Sequence, residues 1–93
     1  MDRDFGGFTW DVDKEKINVA KHGVDFIVAS KVFSDPKRKI FANVKHSKTE
    51  DRFYCIGNVD GRILTVRFVY RDKKIRIFGA GYWRGGKKHY EAE

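Results

Sequence analysis

Acidic residues nearly vanish from the last third of this chain. Between Arg62 and Tyr90 there is one, Asp72, against nine Lys or Arg and six aromatic residues. The first 61 residues hold eleven Lys or Arg and ten Asp or Glu, so the formal net charge of +7 is almost wholly local. A local cationic field interleaved with rings favours a polyanion whose bases can stack, which points to nucleic acid before membrane.

Cysteine and proline are equally scarce. The lone Cys55 excludes an internal disulfide, and Pro36 is the only proline among 93 residues, a length that suits one domain with one modest core, expected to span 1–93. No apolar run approaches the ~20 residues that cross a bilayer, and no cationic leader precedes an apolar stretch, so the expected location is the cytoplasm. His22, His46, His89 and Cys55 lack the paired spacing that gathers metal ligands on one element, and no nucleoside-triphosphate loop is present; no metal or cofactor is expected.

Residues 1–7, with two glycines, read as a flexible lead-in to an edge or turn around Phe8 to Trp10. Asp11 or Asp13 caps a helix to His22, and Gly23 ends it. Asp25 caps a second helix from Phe26 to Phe33, whose Phe26, Ala29, Val32 and Phe33 form an apolar stripe; Asp35-Pro36 stops it. From Lys39 the period changes to two. Lys39 to Val44 is a weak strand, and Arg52 to Val59, Arg62 to Arg71 and Lys74 to Ala80 are stronger ones, joined by the turns Asp60-Gly61 and Asp72-Lys73. Residues 84–93 carry no apolar stripe and are expected to be a short helix or a partly mobile tail. The fold class is α+β, two helices against one face of an antiparallel sheet of about four strands.

Two-residue turns set the register. Phe53, Cys55, Leu64, Val66, Phe68, Ile75 and Ile77 fall on one face, where the helices pack. The other face carries Arg52, Tyr54, Thr65, Arg67, Val69, Arg71, Lys74, Arg76 and Phe78. On it Arg67 lies opposite Tyr54 and Phe78, and Arg76 opposite Val69, so the two arginines are diagonal neighbours able to share one phosphate. The alternative is a solvated face whose guanidinium stems cover Tyr54 and Phe78.

A metal-free reaction on RNA is open to such a surface, because the substrate brings its own nucleophile, the 2′-hydroxyl. The protein must then take that proton, neutralise the phosphorane and protonate the leaving 5′-oxygen. Arg67, Arg76 and Arg84 suit the second task; His46 and Glu50 are the proton-transfer candidates. Against these stand plain roles: Glu50 pairing with Arg52 or a lysine, His46 in a solvated turn, His22 ending a helix, Trp10 in the core. Trp83 covers a core edge, clamps a base or docks a partner.

The ordered set Phe8-Thr9-Trp10-Asp11, Lys14, Lys21-His22-Gly23-Val24, Val32-Phe33 with Asp35-Pro36, His46-Ser47 with Glu50 and Arg52, and Ile75-Arg76-Ile77 resembles the BrnT ribonuclease toxins of BrnT/BrnA type II toxin–antitoxin systems. The likeness runs from about Phe8 to Glu91. It implies a RelE-like fold, metal-free RNA cleavage, and a BrnA-like ribbon-helix-helix antitoxin that neutralises the toxin. The two would meet promoter DNA only as a complex, homodimerisation being one arrangement it allows. By matching position it carries over Trp10, Lys21, His46, Glu50, Arg67 and Arg76; the basic, aromatic surface read from the residues themselves adds Arg52, Tyr54, Arg71, Lys74, Phe78 and Trp83 as further RNA contacts. Many members end the last strand with Ser-Ala-Arg or Ser-Met-Arg. Here it reads Gly79-Ala80-Gly81; Gly81 cannot inherit the arginine's role, and Arg84 is the expected replacement. A non-catalytic nucleic-acid-binding or antitoxin-binding module is the alternative.

Overall fold

The computed structural model describes residues 1–43 and 50–92. The chain runs β1 (Asp2–Phe5), β2 (Phe8–Asp11), α1 (Val12–His22), α2 (Phe26–Ser30) with a 3-10 turn (Lys31–Ser34), β3 (Lys39–Ala42), β4 (Arg52–Val59), β5 (Arg62–Arg71), β6 (Lys74–Gly81) and α3 (Arg84–Glu91). One sheet holds all six strands in the order β1-β2-β6-β5-β4-β3.

Local chemistry explains most boundaries. Asp11 accepts from the Lys14 amide and Asp25 from the Val28 amide, which start α1 and α2, and Gly23 at φ 68° closes α1 onto the Val19 carbonyl. Asp60-Gly61 and Asp72-Lys73 have positive φ at both residues, the twist that joins β4 to β5 and β5 to β6.

Three expectations need correction. The lead-in is a strand: Gly6 and Gly7, at φ 55° and 91°, form a two-residue hairpin turn that pairs β1 with β2. The sheet is mixed and six-stranded, because β2 runs parallel to β6 at Phe8↔Ile75 and Thr9↔Arg76. The second face is also not wholly open. Of the two forms expected for the C-terminal segment it takes the helical one, and α3 lies over β4 and β5, burying Ile56 completely and Thr65 almost so. Gly86 permits this approach, since a Cβ there would stand 1.9 Å from Thr65 Oγ1.

The core lies between the first face and α1–α2. Trp10 meets Phe26 edge-on at 5.9 Å, and Phe33 and Phe53 flank Phe68 at 5.1 and 5.6 Å. Glu15 ties the layer together, accepting from Trp10 Nε1 at 3.0 Å and the Phe26 amide at 2.9 Å. Burial pushes the Cys55 thiol up to about 12, which leaves it unreactive.

Asp35 anchors α3. Its carboxylate accepts from the Tyr90 hydroxyl at 2.5 Å, the Asn58 amide at 2.7 Å and the Lys37 amide at 2.9 Å. The Tyr90 bond, then the amides, hold the Asp35 carboxyl below its usual range, and the same bond raises the Tyr90 phenol. A lowered carboxyl stabilises the fold above its unfolded pKa, ~3.9, and that contribution disappears as pH falls through the folded value. We therefore expect the protection of α3 amides against exchange, taken relative to their intrinsic rates, to fall below about pH 4 while β5 stays protected. Asp35→Ala should reproduce that loss at pH 7, and an α3 as protected in the variant as in wild type would assign the anchoring elsewhere.

Candidate nucleic-acid interface

The uncovered part of the second face holds two adjoining depressions. The larger, a groove of about 420 Å³, is walled by Asp11, Lys14, Glu50, Arg52, Arg71 and Arg76, with Phe78 among its lining. The smaller, about 160 Å³, is lined by Lys14, Ile17, Asn18, Lys21, His22, Arg67 and Phe78. Lys14 and Phe78 belong to both.

A β-bulge creates the division. The pairing of β4 with β5 follows the expected register throughout, with Tyr54 opposite Arg67. β5 and β6 keep theirs from Arg71↔Lys74 to Phe68↔Ile77, then slip by one residue, so Arg67 faces Gly79 and Phe78 is the extra residue. Phe78 thereby separates Arg67 from Arg76, and the two guanidiniums do not line one depression.

Two arginines of the groove are held by carboxylates. Arg76 grips Asp2 with both nitrogens, Nη2 to Oδ1 at 2.8 Å and Nη1 to Oδ2 at 3.1 Å. Arg71 pairs with Glu50, and Lys74 with Asp4. The Arg76 hydrogen bond lowers the Asp2 carboxyl and Lys74 that of Asp4, whereas Glu50 raises Arg71. Arg52 projects its guanidinium over Phe78, 5.2 Å from the ring centroid.

Arg67 is held differently. Its guanidinium stands 5.0 Å from the Trp83 ring centroid and 5.9 Å from that of Phe78, and a Cβ on Gly79 would lie 3.0 Å from its Nε and Nη2. No carboxylate meets it among the described residues, and its buried Nε donates to nothing there. Trp83 lies over Gly81, where a Cβ would come within 2.7 Å of the indole, and meets His22 edge-on at 5.2 Å.

Other expected residues are dispersed. Trp10 is fully buried with its indole N–H bonded to Glu15, so it has no face to offer a base. Arg84 opens α3 beside Arg62, Tyr82 and Lys87 in a separate depression, away from Arg67 and Arg76. Tyr54 is half-buried, its hydroxyl accepting from Asn43 Nδ2 at 2.8 Å. His46 lies outside the described residues. His22, read from sequence as a helix-ending residue, joins the smaller depression; the signal for it was the polar helical face formed by Lys14, Asn18, Lys21 and His22 at spacings of four, three and one. Among the described residues no three His, Cys, Asp or Glu are grouped so as to hold a metal ion, and no helix is long and apolar enough to cross a membrane.

Compared with known protein families, residues 10–85 match the family described as the ribonuclease toxin, BrnT, of type II toxin–antitoxin systems. No curated protein matches the chain.

Proposed function

The chain belongs to the BrnT family of ribonuclease toxins, and from that premise we propose that it is an endoribonuclease that cleaves RNA in the groove without a metal ion. The observation that carries this reading is the convergence of three guanidiniums, Arg52, Arg71 and Arg76, with two carboxylates, Glu50 and Asp11, on a wall that also presents Phe78. Guanidinium forks match a phosphate and stabilise the charge that grows on the phosphorane, and the ring offers a surface to a base.

In the proposed step the 2′-oxygen attacks the adjacent phosphorus and the bond to the 5′-oxygen breaks, leaving a 2′,3′-cyclic phosphate and a 5′-hydroxyl. The 2′-hydroxyl loses one proton and the leaving oxygen gains one. Glu50 and His46, four residues apart in the chain, share these transfers, while Arg71 and Arg76 hold the phosphate. A ribbon-helix-helix antitoxin of the BrnA kind neutralises the protein and joins it at their promoter, and the site of action is the cytoplasm.

A second reading has support. Trp83 covers Gly81, where many members carry an arginine, and Asp2 fills the fork of Arg76, both of which suit a protein that binds nucleic acid without cutting it. Incubation of a labelled RNA with purified protein in excess EDTA, beside a matched DNA, separates the two: cutting of RNA alone is the expected result, and RNA that is bound yet intact would select the second reading.

Asp2 stands where a phosphate oxygen would sit, so RNA must displace it from Arg76. Asp2→Asn is expected to tighten binding of a non-cleavable 2′-O-methyl RNA roughly two- to fivefold, the scale of an exposed ion pair. Equal or weaker binding would show that the clasp does not compete with RNA.

A further inference from the structure

The smaller depression has no task in the reaction just described, yet cations gather in it without an acid among its lining residues. α1 presents Lys14, Lys21 and His22 toward it, and β5 presents Arg67 from the opposite wall. A helix face at these spacings is ordinarily apolar where it meets a sheet. Here it is polar apart from Ile17, which is 56% exposed, so α1 leaves the depression unsealed.

Arg67 cannot swing away to solvent without leaving the rings of Trp83 and Phe78, over which it lies, or the space that Gly79 leaves open for it. Gathering like charges around a fixed, partly desolvated guanidinium is unfavourable unless an anion completes the set, and an unpaired buried donor adds to the cost. In the groove Glu50 and Asp2 supply that negative charge. No acidic residue lines the smaller depression. Its volume is about 160 Å³, against about 420 Å³ for the groove.

We propose that Arg67, Lys14, Lys21 and His22 form a second phosphate subsite, which takes the backbone phosphate next to the scissile one in a single-stranded RNA. Phe78, shared by both depressions, lies under the intervening nucleotide. The bulge is then a functional device: it separates two arginines that would otherwise compete for one phosphate and sets them at successive phosphates. Trp83 and Gly79 are positioning residues that lock the guanidinium. The inference rests on the RNA reading above, and it names how that substrate is gripped.

The test uses the full chain and 2′-O-methyl RNA, which cannot be cut. Binding is followed by fluorescence anisotropy at several salt concentrations, and the Arg67 Nε–H and His22 ring resonances by NMR. Both resonances are expected to move with the trinucleotide. Arg67→Gln and, on the exposed wall, Lys21→Gln should each weaken trinucleotide binding several-fold. Each should also flatten the dependence of log K on log salt by about 0.7, the loss of one contact to a single strand. Wild-type binding that neither variant weakens, with both resonances still, would overturn the subsite and leave the RNA reading standing. Failure of wild type to bind any RNA would overturn both.

Discussion

Arg76→Ala is expected to lower the rate of RNA cleavage by about a hundredfold to a thousandfold, the loss seen when one preorganised donor to a developing oxyanion is removed. Arg76 is the groove arginine best placed for that role. It is only partly exposed, its side chain being 18% accessible, and its fork already holds two oxygens, those of Asp2 at 2.8 and 3.1 Å. A backbone phosphate presents a similar pair of oxygens with the same single charge, and the phosphorane adds to it, so the geometry needs no rearrangement beyond the exchange of one anion for another. Arg76→Lys keeps the charge and loses the fork, and should recover part of the rate. Because Arg76 also ties β1 down through Asp2, Asp2→Asn is the control: it breaks the same clasp while sparing the guanidinium, and it should cleave at least as fast as wild type. Cleavage by Arg76→Ala at the wild-type rate, measured on the same RNA, would remove the groove as the reaction centre.

Asn18→Leu should be the most destabilising single change outside the aromatic core. Asn18 is buried on α1, where its carboxamide donates to the Val24 and Ala80 carbonyls at 2.9 Å each and accepts from the Ala80 amide at 3.1 Å. It does so because β2 accompanies β6 only as far as Thr9↔Arg76, after which the chain turns into α1 and the remaining edge of β6 has no strand beside it. The side chain serves as a one-residue substitute for that strand. Leucine fills similar space but leaves two carbonyls and an amide without partners. At about 1–3 kcal/mol for each buried group left unsatisfied, the cost is ~3 kcal/mol or more, a large part of the 5–15 kcal/mol that holds a typical domain together. Urea unfolding should show a lower midpoint at unchanged slope. Asn18→Asp, with acceptors only, satisfies the Ala80 amide and neither carbonyl, so it too should lose stability. A change below about 1 kcal/mol for Asn18→Leu would mean that water reaches the β6 edge. The same link has a functional side. It seats α1 against β6, and with it Lys14 and Lys21 opposite Arg67.

Much of this architecture was legible in the residues alone. Helix caps at Asp11 and Asp25, the glycine stop at Gly23 and the turns at Asp60-Gly61 and Asp72-Lys73 are decided by side chains a few positions apart, and the alternation of β4 and β5 announces its own faces. The family resemblance was legible as well. Less so were the ends. Gly6-Gly7 suggested flexibility and made a hairpin, because the strand it forms is recognisable only from the partner it pairs with. Residues 84–91 showed no apolar stripe, and α3 docks instead through a glycine that lets the backbone approach Thr65 and through the hydrogen bond from Tyr90 to Asp35.

The candidate site divides in the same way. Composition located the basic, aromatic surface, since the charge and the rings are properties of a segment. It could not assign partners, because Asp2 lies 74 residues from Arg76 and Glu50 21 residues from Arg71. Nor could it foresee the bulge, as Phe78 suits a regular strand equally well, and that one inserted residue turns a shared arginine pair into two separate depressions. By itself, then, the sequence determined the elements, the faces of the central strands and the sign of the surface, all set by neighbours in the chain. Only the tertiary structure decided which cations are neutralised, that Trp10 belongs to the core, and that Arg67 stands without an acid among the described residues, because each depends on groups that meet only after the sheet has closed.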